Sequence, residues 1–343
     1  MKTANRQLFS LLAAYCERFD DSVEDPNAVR FVAGDADAET SLQTAQVLAK
    51  IEFGTHRSLM YLVQGEIHLV GMVGFESEFS FDGYEDFEPN PGLMIVVLTE
   101  GQVQPNVPAS QVRNIVEVAK AGESGYTGHQ AEGIESLFPP ISYLRSLDPL
   151  DVETAWRVFL QLCAQECSQG GSWIDAELAA DLNALSDLNI PAMPYEALCR
   201  SMFDLDPRST YMALYRCIEA TYAFESCRKL VVTLGLSLPW QELAAALESE
   251  MGWHPREADS LNLILVYADR NDLAEIARCL GRQPTKDPTV AAGRAIYELR
   301  NRIVHYRPGQ PAIDVDGIDW NVLSRLLVGI VFSVFMTAFG AAR

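Results

Sequence analysis

The chain reads as an α+β region followed by an all-α helical bundle, and three observations predict it. Apolar runs of strand length sit in the first hundred residues, at Ser58–Gln64, Glu66–Val73 and Leu93–Thr99. From about Ile141 the apolar spacing changes to three and four residues and stays so, which is the helical period. Charge divides the chain as well: residues 1–150 hold 22 acids against nine bases, whereas the window Arg278–Gln310 holds seven bases against two acids. The expected division is 1–145, a mixed and acidic domain, then 146–195, a helical connector, then 196–343, a helical domain. At 343 residues there is enough chain for two such cores.

Taken in order, Gln7 to Phe19 predicts a short amphipathic helix and Glu39 to Phe53 a second. Gly65 separates two apolar runs and predicts a hairpin. The stretch Phe75 to Glu88 interleaves aromatics with six acids. It reads as an exposed strand edge kept soluble by carboxylates, with an acidic mimic of nucleic acid as the sharper alternative. Gly122 to Gly133 has the composition of a mobile loop, and His129 within it is expected at the surface. Val152 to Ser168 predicts a helix carrying Cys163 and Cys167 one turn apart, a core pair rather than half a zinc site. Asp206-Pro207 is a helix start, Tyr211, Leu214, Tyr215, Ile218 and Tyr222 follow as its apolar stripe, and Gly235 is its stop. Helices are expected at Trp240–Met251, Pro255–Tyr267 and Asp272–Leu280, and Asp287-Pro288 opens another. A last apolar helix starts near Trp320, and Leu326 to Ala342 carries no charge. By length it fits a buried core or dimer-interface helix, with a short membrane anchor as the alternative.

A net charge of −21 excludes a broad surface for nucleic acid or membrane phosphate, so any polyanion site must be a local exception. The window Arg278–Gln310, at +5, is that exception; its plainer reading is a solvated helical face. Seven scattered cysteines suit a reducing compartment, and Met1–Phe19 shows no secretory pattern, so a cytoplasmic address is expected. No cofactor or metal is expected.

The run Glu298-Leu-Arg300-Asn301-Arg302-Ile-Val-His305-Tyr306-Arg307-Pro308 lies inside the basic window. A guanidinium presents a planar fork to phosphate oxygens, and an imidazole moves protons near neutral pH. Together they supply what RNA cleavage without a metal needs. Five residues subtend about 140° on a helix, so either one of the pair is an ordinary surface residue or the site is built at an interface.

Residues 196–343 resemble the helical domain of HEPN proteins. The resemblance rests on a long capped helix over 207–235, on Arg300-Asn301 followed after three intervening residues by His305 inside a late helix, and on the loop and apolar helix that follow. It implies a homodimeric, metal-independent endoribonuclease, toxin-like or in anti-phage defence, in which two bundles complete one site. His305 would be the general base or acid, Arg300 would hold the phosphate, and Asn301 would orient its neighbours or the RNA. Arg302, Tyr306 and Arg307 would extend RNA contact. Toxins of this family silenced by nucleotidyl transfer carry a tyrosine two places after the histidine, where this chain has Arg307. Control by the acidic first half, as a sensor or regulatory domain, is therefore the expectation. A non-catalytic interaction or antitoxin-like module is the alternative.

Overall fold

The computed structural model describes residues 2–190, 192–283, 286–305 and 317–340. The chain divides into two units, Met1–Phe159 and Leu160–Arg343.

The first unit runs α1 (Lys2–Arg18), α2 (Ala36–Thr44), β1 (Gln46–Glu52), β2 (Ser58–Gln64), β3 (Ile67–Val73), β4 (Tyr84–Asp86), α3 (Pro91–Glu100), α4 (Ala109–Val116), α5 (Ala131–Glu135) and β5 (Ile141–Ser146). Its strands form one antiparallel sheet in the order β1-β2-β3-β5-β4. β2 and β3 are the expected hairpin. Gly65 takes φ +60° at the first position of their two-residue turn, a backbone state open to glycine. β4 is an edge strand, and Glu85 pairs across the register with Arg145 at 3.4 Å, so the acidic stretch does supply a charged edge.

Three expectations change here. Leu93–Thr99 is not a strand: it lies within α3, where the Asn90 side chain accepts from Leu93 N at 3.0 Å and Pro91 occupies the first turn. Every residue from Gly92 to Leu98 is buried, which erases the helical period from the sequence. The helix packs on the sheet at Gly71, where a Cβ would sit 3.1 Å from Val97 Cγ2. The helix expected over Glu39–Phe53 ends at Thr44, and the rest becomes β1, recruited by pairing with β2. Ile141–Ser146 opens no helix; it is β5, inserted between β3 and β4.

After β5 comes α6 (Val152–Glu166), within which the division between units falls. The second unit continues with α7 (Ala176–Leu185), α8 (Tyr195–Met202), α9 (Arg208–Glu219), α10 (Phe224–Leu234), α11 (Trp240–Met251), α12 (Glu257–Ile264), α13 (Arg270–Cys279), α14 (Pro288–Val304) and α15 (Trp320–Phe339). Among the described residues α15 is the one helix long and apolar enough to cross a membrane. It packs against α7, α9 and α13 and buries Leu323, Leu327, Val331, Val334 and Phe335, so it serves as a core helix of this unit.

The single helix expected over 207–235 is two. At Thr221, Tyr222 and Phe224 the backbone N–H groups reach back three residues instead of four, to Ile218, Glu219 and Thr221. Thr221 Oγ1 also donates to Ile218 O at 2.6 Å, competing for a carbonyl the helix would use. Gly235 does end the second piece, in the left-handed conformation.

Candidate functional site

α14 starts where its cap residues predict, with Asp287 Oδ1 accepting from Thr289 N at 3.1 Å and Pro288 in the first turn. Ala292, Gly293, Ala295, Ile296 and Leu299 are buried, and at Gly293 a Cβ would collide with the Asn262 side chain of α12. Small residues thus let α14 lie close against its neighbours. Tyr211 of α9 ties it down by donating to Ile296 O at 2.7 Å.

One turn further, Arg300 turns into the bundle with only 16% of its side chain exposed. Its guanidinium lies 5.8 Å from the Tyr215 ring centre, a cation–π distance. Nη2 stands 3.5 Å from Glu257 and 3.9 Å from Glu219. Nη1 donates to Asn301 Oδ1 at 3.1 Å and meets His305 Nε2 at 3.4 Å. A guanidinium only donates, so Nε2 is the acceptor wherever this contact is a hydrogen bond.

The structure therefore brings Arg300, Asn301 and His305 together within one chain. The 140° separation is avoided because His305 is not helical: it caps α14 at φ −111° and ψ 111°, where its ring can fold back while its N–H still bonds Asn301 O at 2.9 Å. Arg302 is exposed on the last turn. Tyr306 and Arg307 lie outside the described residues.

The surroundings differ from the open basic face expected. Arg282 and Arg294 both pair with Glu298, and Arg278 pairs with Glu275, so much of the local positive charge is cancelled in place. Burial pushes the Glu219 carboxyl up, Arg300 opposes this, and Glu257 reinforces it. Burial also pushes Tyr215 up to about 12, and Tyr222 donates to its hydroxyl at 2.8 Å, so both tyrosines stay protonated at neutral pH. Beside the site a groove of about 840 Å³ runs between α8 and α9 to Ile303 of α14. Arg200 and Arg208 on its wall are paired with Glu196 and Asp206. Arg216, also on the wall, is exposed and forms no ion pair among the described residues.

Sequence reasoning missed Glu219 and Glu257. Glu219 was within reach, since Tyr211, Tyr215 and Glu219 follow at four-residue spacing on one face of α9. Nothing local marks Glu257, which arrives through the packing of α12 against α9 and α14.

Elsewhere, Cys163 and Cys167 are buried thiols. Among the described residues no group of three or more His, Cys, Asp or Glu side chains is arranged to hold a metal ion. His129, expected at the surface, is buried at 7% exposure in the first unit. It packs 4.9 Å from the Phe9 ring and hydrogen-bonds Tyr126 and Val116 O, because the glycine-rich segment is anchored by pairing with Phe31–Ala33. No family model, curated protein or solved structure matches the chain.

Proposed function

We propose that the helical unit is a HEPN-like endoribonuclease that needs no metal, works as a homodimer and serves a toxin-like or anti-phage role. The observation that carries this reading is the convergence of Arg300, Asn301 and His305 at the end of α14. The His305 ring of one copy takes the proton of a ribose 2′-hydroxyl as general base. The 2′-oxygen attacks phosphorus, and the P–O5′ bond breaks. The departing 5′-oxygen takes a proton from the imidazolium of the second copy, leaving a cyclic phosphate and a free hydroxyl end. Arg300 holds the phosphate and faces the charge that gathers on it, and Asn301 keeps the guanidinium in position. Arg302, Tyr306 and Arg307 extend the RNA contact.

A specific observation favours the second reading, a non-catalytic interaction module. Arg300 already has Glu219 and Glu257 as counter-charges, which weakens its pull on an anion. Expression in growing cells separates the two. Wild type should arrest growth with fragmentation of cellular RNA, and Arg300→Ala or His305→Ala at equal level should not. Normal growth and intact RNA with wild type would favour the interaction module.

A further inference from the structure

The first unit contains a partly open pocket of about 550 Å³, a size that suits a small organic ligand. Its wall is formed by Phe9, Pro26, Val29 and Phe31, together with Arg6 and Arg30. Arg30 is only 6% exposed. Its Nη1 donates to Asp25 O at 3.0 Å and its Nη2 to Glu24 O at 3.2 Å, while its Nε is buried with no hydrogen-bond partner. A guanidinium has five donor hydrogens, so three stay unused here.

No described residue forms an ion pair with Arg30, although residues 1–150 carry 22 acids. Asp25, whose carbonyl it touches, gives its carboxylate to Lys120 at 2.9 Å instead. Buried charges are ordinarily paired, because an uncompensated one costs several kcal/mol of desolvation. Arg6 forms no ion pair or hydrogen bond among the described residues either, and it lines the same cavity. The apolar wall is braced from behind. Tyr126 bonds both N and O of Phe31 at 3.0 and 3.1 Å, and Gly128 lies so close that a Cβ would be 2.9 Å from the Phe31 ring.

We infer that this cavity binds a small organic anion: a phosphate or carboxylate group carried on a flat apolar body. The anion supplies the missing counter-charge to Arg30 and Arg6, and the body lies among Phe9, Pro26, Val29 and Phe31. This inference is independent of the ribonuclease reading, since every residue that lines the cavity lies between positions 5 and 31.

The test is calorimetric titration of the full-length chain with 1-naphthyl phosphate, 1-naphthoate, inorganic phosphate and 1-naphthol. At least one aromatic anion should bind saturably, and the comparison of phosphate with carboxylate identifies the head group. Inorganic phosphate and naphthol should each bind at least about tenfold more weakly, since each lacks one half of the recognition. Arg6→Gln should weaken binding by about tenfold, the worth of one charge-assisted contact. Ser10→Trp, which fills the cavity from an exposed position on α1, should abolish it. Both changes are at the surface and leave the fold intact, which circular dichroism checks. Absence of saturable binding by either aromatic anion, or binding that both variants leave unchanged, overturns the inference.

Discussion

Arg30 and Arg300 are both largely buried guanidiniums, yet they are compensated in opposite ways. Arg300 has two carboxylates, an aromatic face, an amide oxygen and an imidazole around it. Arg30 has two main-chain carbonyls and no counter-charge among the described residues. The difference teaches what each is suited to. A guanidinium balanced by acids is held rigidly and must share its field with them, which fits a positioned catalytic group or a structural hub. One left unbalanced beside a cavity is suited to an anion that comes and goes.

The comparison is broken most severely at Arg300. Arg300→Ala should cost about 100- to 1,000-fold in RNA cleavage rate, the usual loss for one transition-state donor, as read by single-turnover kinetics. A purely structural Arg300 would leave no such rate to lose. Next in size, Leu327→Ala in the fully buried face of α15 should destabilise the second unit by about 2–5 kcal/mol in denaturant unfolding. A value near zero would mean α15 is not the packing element that supports α9.

The double change Glu219→Gln and Glu257→Gln removes what distinguishes Arg300 from Arg30. It should tighten RNA binding by up to about fivefold, a modest gain because both carboxylates are more than a third exposed. A loss of binding would assign the two acids to the RNA contact itself. A smaller effect is expected from His129, which burial holds below its ordinary value of 6.5, with Arg30 adding to the depression. The unfolded chain then binds the proton more readily than the native one, so stability is present above about pH 6.5 and falls as pH drops below it. His129→Gln should flatten that part of the thermal-melting profile of the first unit. Smallest of all, Arg302→Ala should change stability by less than about 0.5 kcal/mol, since Arg302 is exposed, while weakening RNA binding at low salt.

Elements with local signals were legible in the sequence. The β2–β3 hairpin, α11, the Asp287-Pro288 start of α14 and the apolar α15 all carry their turn, cap or period in a few adjacent residues. Elements decided by distant packing were not. α3 is apolar on all sides, β1 owes its strand state to β2, and β5 enters the sheet between two strands far earlier in the chain. The site shows the same split. Arg300, Asn301 and His305 could be named from spacing, but their meeting depends on a helix that ends one residue before His305. Glu219 and Glu257, which set the charge around Arg300, come from two other helices.

The most direct measurement is cleavage of single-stranded RNA by purified wild type and His305→Ala with chelator present, with analysis of the product ends. Wild type should give cyclic phosphate and free hydroxyl ends, about 100- to 10,000-fold faster than His305→Ala. Equal rates for the two proteins, or no cleavage by wild type, would contradict the assignment of Arg300, Asn301 and His305 to RNA chemistry.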